Sequence, residues 1–106
     1  MELNGVERVL LLRALPNEFA EFSTTKIVHD MRQALAFDED EYEAIEGQVV
    51  EDGGFRFNPG KALEYVTDIP IGRKAQDEAE KAIRKLLKDG KFTEGHMSLA
   101  EKLGIE

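Results

Sequence analysis

The sequence predicts an α+β fold: three N-terminal helices, a small antiparallel β-sheet of two to three strands, and two C-terminal helices. Three observations carry that prediction. Apolar residues recur at helical spacing before Gly47 and after Gly72, the stretch between is cut into short β-rich runs by glycine and proline, and cap and stop residues punctuate the helical segments. At 106 residues the chain is near the commonest domain size, so residues 1–106 are read as one domain around one core.

The first helix gathers Val6, Val9, Leu10, Leu11, Leu12, Ala14 and Leu15, with Glu7, Arg8 and Arg13 as its only charges. A helix apolar around most of its circumference belongs at the centre of the fold, and Pro16 ends it. Ser23, Thr24 and Thr25 are cap candidates for a second helix, in which Ile27, Val28, Met31, Ala34 and Leu35 form one stripe while Lys26, His29, Asp30, Arg32 and Gln33 face water. The third helix has the clearest start in the chain. Asp38 as N-cap with Glu41 at the third helical position forms a capping box, and Phe37 and Tyr42 fit a hydrophobic staple across it. Tyr42, Ile45 and Ala44 make its buried side, and Gly47 is read as its stop.

From Gln48 the runs shorten. Val49-Val50, Phe55-Arg56-Phe57 and a segment from Leu63 to Ile71 are read as strands, with Asp52-Gly53-Gly54 as a tight hairpin turn and Asn58-Pro59-Gly60-Lys61 as a type II turn. Pro70 marks an edge strand or a strand end, because proline cannot donate to the ladder. After Gly72 a long fourth helix turns Ala75, Ala79, Ala82, Ile83, Leu86 and Leu87 inward, with Asp77–Lys81 and Glu80–Arg84 spaced for ion pairs and Gly90 at its end. Thr93 is read as the cap of a last helix, with Phe92 and Met97 as staple partners and Leu99, Ala100 and Leu103 docking inward.

Composition narrows function mainly by exclusion. The net charge is −8, which opposes non-specific attraction to phosphate backbones and anionic lipid. No run approaches the ~20 apolar residues of a membrane span, and the absence of cysteine and of a secretory start leads to the expectation of a soluble, cytoplasmic protein. Metal binding has little to stand on. The histidines, His29 and His96, are isolated in sequence, and Asp38-x-Asp40 fails as a calcium loop because Tyr42 and Glu43 occupy positions that need a ligand and a glycine. No Walker loop or dinucleotide fingerprint is present and no serine, threonine or lysine stands beside an evident base, so neither a cofactor nor an enzymatic activity is expected.

What remains is the polarity of the chain. From Asp38 to Asp52 eight carboxylates occur with no basic residue, whereas Arg73 to Lys91 carries seven basic residues against Asp77, Glu78, Glu80 and Asp89. The acidic third helix makes Glu39, Asp40, Glu43 and Glu46 the candidate protein-binding residues, although carboxylates in a first turn also suit the helix dipole. Arg84, Lys85 and Lys88 are the candidates for an alternative, a nucleic-acid-associated regulator; a further alternative is an acidic DNA mimic that occupies another protein's DNA site. Phe55 and Phe57 join the binding face if the sheet leaves them uncovered.

Three helices followed by a hairpin resemble the element order of a winged-helix domain. The layout as a whole is similar to small uncharacterised proteins encoded in bacterial and prophage genomes. The resemblance is carried by Leu11-Leu12 with Leu15-Pro16, Lys26-Ile27-Val28 with Met31-Arg32, the Asp38 to Glu41 cap, Ile69-Pro70-Ile71-Gly72, and Leu99 with Glu101-Lys102-Leu103. It implies a phage-associated accessory factor that binds a host or virion protein, and it transfers no site residue.

Overall fold

Three residues that no periodicity announces, Glu2–Asn4, open the chain as strand β1, and the computed structural model describes residues 1–51 and 54–105. Asn4 ends the strand and caps helix α1 (Gly5–Ala14): its side chain accepts from Glu7 N while Glu7 returns a bond to Asn4 N. Helix α2 (Phe22–Leu35) and helix α3 (Glu39–Ala44) follow, then a hairpin of β2 (Gln48–Val49) and β3 (Phe55–Arg56). Helix α4 (Pro59–Glu64), strand β4 (Val66–Asp68) and the long helix α5 (Arg73–Lys88) come next. A 3₁₀ turn (Glu94–His96) leads into helix α6 (Met97–Lys102).

The mixed helix-and-sheet class is as expected, but the β-structure is two separate antiparallel pairs rather than one small sheet. β1 pairs with β4 with Leu3 opposite Thr67, and β2 pairs with β3 with Val49 opposite Phe55. The strand expected over Leu63 to Ile71 shrinks to three residues because Asn58-Pro59-Gly60-Lys61 starts a helix instead of turning a hairpin. Asn58 caps it by accepting from Lys61 N at 3.2 Å, and Pro59 sits at the first helical position, where its missing N–H costs nothing. The expected Asp52-Gly53 turn lies outside the described residues; Gly54 O accepts from Val50 N at 3.0 Å.

Helix α1 is central, packing against α2, α4, α5 and α6. Leu3 and Leu11 join Val28, Met31 and Leu35 of α2, Ala79, Ala82 and Ile83 of α5, and Leu99, Ala100 and Leu103 at the end of the chain in one core. Ile69 joins it too and donates to Met1 O at 2.8 Å, so exposed Pro70 does mark the strand's end. No helix among the described residues is long and apolar enough to cross a membrane.

Several local expectations are corrected. Helix α2 starts at Phe22 with Glu21 as N-cap and no side-chain cap, so Ser23, Thr24 and Thr25 lie inside its first turn; Thr25 Oγ1 donates back to Glu21 O at 2.9 Å. Arg32 does not simply face water, since its guanidinium donates to the carbonyls of Leu15 and Pro16 beyond the end of α1. On α5 Lys81 pairs with Glu78 at 3.3 Å rather than with Asp77, Arg84 pairs with Glu80 as expected, and Leu87 is exposed. Thr93 caps the 3₁₀ turn in a reciprocal box with His96, whose ring, not Met97, lies 5.4 Å from Phe92. His96 is thereby buried, and Met97 is left at the surface.

Candidate functional site

Two of the three charges on the apolar first helix are buried: Arg8 and Glu7 are each 1% exposed, whereas Arg13 faces solvent. Arg8 reaches across to the junction of α2 and α3. Its Nε donates to Leu35 O at 3.1 Å, its Nη2 to Ala36 O at 2.7 Å, and its guanidinium pairs with the carboxylate of Glu41 through both terminal nitrogens. Leu35 and Ala36 carry carbonyls that the end of α2 leaves without helical partners, so one arginine satisfies a helix terminus and a carboxylate together. The same guanidinium lies 4.0 Å over the Phe37 ring.

Glu41 has two tasks. As the third residue of α3 it closes the expected capping box, accepting from Asp38 N at 3.1 Å while Asp38 Oδ1 accepts from Glu41 N at 2.8 Å. It is also the counter-ion of Arg8, and the hydrogen bond from Arg8 holds its carboxyl below the ordinary glutamate value of 4.5 against the opposing effect of burial. The cap box is visible in sequence; the second task needs the distant arginine.

Above this clamp the rings of Phe37, Tyr42, Phe55 and Phe57 form a chain of contacts. Phe37 and Tyr42 meet edge-on at 6.3 Å, as the staple requires, Tyr42 meets Phe55 at 5.4 Å, and Phe55 stacks on Phe57 at 5.7 Å. Gly47 lets these rings close together. A Cβ there would stand 2.5 Å from Tyr42 Cδ1 and 3.2 Å from Phe55 Cε2, so this glycine is needed for close approach. It is not the left-handed stop of α3: that conformation falls on Glu46, with φ of 54°.

Phe37, Tyr42 and Phe55 line an open pocket of about 340 Å³ together with Ala36 and with Val9, Leu12 and Arg13 of α1. Phe55 and Phe57 are thus half-buried: their packing belongs to the fold, and one face of Phe55 belongs to the pocket. Glu39, Asp40 and Glu43 stand on α3 with Tyr42. At about 100° per residue, Glu39 stands about 60° round α3 from Tyr42, Glu43 about 100° and Asp40 about 160°. All three are exposed and carry no ion pair among the described residues. Glu46 differs, since its carboxylate pairs with Lys61 at 2.6 Å and accepts from Asn58 at 3.3 Å. Of the four candidate residues none lines the pocket: Glu39 and Glu43 share α3 with Tyr42 of its wall, Asp40 faces away from Tyr42, and Glu46 is tied to Lys61 of α4.

The basic candidates stand apart from this face, on α5. Arg84, Lys85 and Lys88 are exposed; Arg84 is engaged by Glu80 at 2.9 Å, while Lys85 and Lys88 carry no ion pair among the described residues and suit the negative end of the helix dipole. Among the described residues no group of three or more histidines, aspartates or glutamates could hold a metal ion. The chain matches no family model, no curated protein and no solved structure.

Proposed function

We propose that this protein is a non-enzymatic protein-binding module whose partner presents an apolar side chain flanked by lysine or arginine. The observation that carries the reading is an aromatic pocket whose wall includes Tyr42 of α3, the helix that also carries the unpaired carboxylates Glu39 and Glu43. Phe37, Tyr42 and Phe55 offer a rigid apolar wall, and anchors seated in such pockets supply most of the energy of protein recognition. Glu39 and Glu43 add a negative field that selects a basic segment and speeds its encounter. DNA reading through α3, as a winged-helix-like order would suggest, is disfavoured because that helix would offer carboxylates to phosphates.

Tagged wild-type protein incubated with nuclease-treated host lysate is expected to retain a discrete partner. Reversing these charges with E39K/E43K is expected to weaken that capture by roughly fivefold, the effect of two exposed charges at about half a kcal/mol each, and to flatten its salt dependence. K85E/K88E should leave it unchanged. Capture that survives E39K/E43K would refute the reading. Capture that requires nucleic acid and disappears in K85E/K88E would favour the nucleic-acid-associated alternative, and competition by DNA for the captured partner would identify the acidic helix as a DNA mimic. An accessory role of phage origin stays part of the proposal only if the partner is a host or virion protein.

A further inference from the structure

On the other side of α1 from the aromatic pocket, Glu7 occupies an environment that its structural duties do not complete. Its Oε1 accepts from Asn4 N at 2.9 Å and from Lys102 Nζ at 2.7 Å. Its Oε2 is buried and, among the described residues, is the one buried side-chain polar atom without a hydrogen-bond partner. A carboxylate oxygen kept from water and left unbonded is costly, and a donor that reached it would recover that cost.

Glu7 lines a second open pocket, of about 570 Å³, between the start of α1, the start of α4 and the 3₁₀ turn into α6. Two more carboxylates, Glu94 and Glu101, line it, and Leu63 and Met97 form an apolar flank. Lys102 is the cation bound at Glu7; it also donates to Glu2 O at 2.9 Å, so its charge is already divided between two acceptors. Three glutamates against this one lysine leave a surplus of two negative charges (−3 + 1) around the pocket. Leu63 and Met97 are 55% and 52% exposed, so their apolar surface is open at the pocket.

We infer that this pocket binds an alkylammonium group: a primary ammonium that donates to Glu7 Oε2 under the field of Glu94 and Glu101, with its alkyl stem laid on Leu63 and Met97. The chemistry follows from the lining. The ligand must donate, because the open group is an acceptor; it must be cationic, because the surplus charge is negative; and it must carry a short apolar stem, because the flank is apolar. Oε2 is itself closed to solvent, so the ammonium reaches it only with a shift of the side chains around it. The site is independent of the aromatic pocket and of the partner proposed for it. The ammonium can belong to a free amine or to the lysine side chain of another protein.

The test uses the full chain and three probes: n-butylammonium, n-butanol and N-acetyl-lysine methylamide, titrated while backbone amide shifts are followed. Butylammonium is expected to give saturable shifts at Asn4, Glu7 and residues 94–101, with a Kd on the order of 1 mM as suits a ligand of very few atoms. Butanol, which keeps the stem but not the charge, should bind at least tenfold more weakly, the worth of a charge-assisted bond. Glu7→Gln should likewise weaken butylammonium at least tenfold; glutamine still closes the Asn4 box, so the fold is expected to persist. Should that variant misfold, E94Q/E101Q, both exposed, serves in its place with a several-fold loss expected. Tighter binding of the lysine derivative than of butylammonium would assign the group to a partner's lysine, and the reverse order to a free amine. Equal binding of butanol and butylammonium, or shifts unchanged in both sets of variants, would overturn the inference.

Discussion

Replacing Arg8 with methionine removes a long buried side chain's charge while keeping much of its apolar stem, and the consequences can be worked from its contacts. Two carbonyls, Leu35 O and Ala36 O, lose their donor, and Glu41 loses its counter-ion. Breaking a buried pair from one side costs about 3–5 kcal/mol, and because Glu41 is 14% exposed and keeps some water the lower end applies, about 3 kcal/mol for R8M. For a chain of this size that lowers Tm by roughly 12 °C or more, read by thermal and urea unfolding. R8K keeps the charge but not the planar fork that serves both carbonyls and the carboxylate, so it should lose about 2 kcal/mol. Glu41→Gln preserves the capping box and tests the charge alone, and R8M/E41Q should cost less than the sum of its parts by about 1 kcal/mol or more, since the second change no longer strands an ion. An R8M variant within about 1 kcal/mol of the wild type, or a strictly additive double variant, would refute the view that Arg8 clamps the α2–α3 junction.

Three further outcomes follow from the same region. Gly47→Ala drives a methyl into Tyr42 and Phe55, so a loss of about 1–3 kcal/mol is expected with a changed near-ultraviolet circular dichroism from the displaced rings. Glu46→Gly trades a solvent-screened ion pair with Lys61 for relief of a left-handed residue; urea unfolding should find the variant no less stable than the wild type, and clear destabilisation would show that the pair with Lys61 outweighs the strain. The pH dependence has a definite sign. Glu41 titrates lower in the folded chain than in the unfolded one, through Arg8 first, and Glu46 does so through Lys61 first; such groups add stability above the unfolded value of 4.5 that is lost as pH falls through their folded values. Stability should therefore decline below about pH 4.5, and E41Q should show a shallower acid limb; an acid limb unchanged in E41Q would remove Glu41 from this account.

Much of the helical frame was legible because its signals are local. The Asp38–Glu41 box, the Phe37–Tyr42 staple, the buried stripe of α2 and the Gly90 end of α5, with φ of 71°, all lie within a few residues of the chain. Errors fell where one local signal has two readings. Asn-Pro-Gly-Lys satisfies both a type II turn and a capped helix start, and only the packing of Ala62, fully buried on α4, decides for the helix. Strand β1 was invisible because three residues are too few to establish an alternation, and its partner β4 lies more than sixty residues away. Within the site, the acidity of α3 was legible, but its division into unpaired carboxylates and a tethered Glu46 was not, since that depends on Lys61 of another helix. Arg8 and the pocket were missed although part of the signal lay in the sequence: a helix apolar around most of its circumference turns most of its charges inward, and an inward arginine needs an acceptor.

That signal explains why adjacent charges on α1 point to opposite ends of the molecule. Glu7 is bonded to Lys102, 95 residues later, and Arg8 to Glu41, 33 residues later, so two neighbouring side chains fix the central helix against elements it would otherwise touch only through interchangeable aliphatic groups. Leucine and valine on α1 would tolerate a rotation or a one-turn slide at modest cost, because apolar contacts are not directional. Two oppositely charged groups with partners in different directions do not tolerate it, since any slip leaves both buried ions unpaired. Each charge also underlies one of the two pockets: Arg8 beneath Phe37 of the aromatic one, Glu7 in the wall of the acidic one. Registering the helix and building the sites are therefore the same physical act in this chain, and a substitution that loosens α1 is expected to disturb both faces together, whereas one confined to Glu39, Glu43 or Glu101 disturbs a single face.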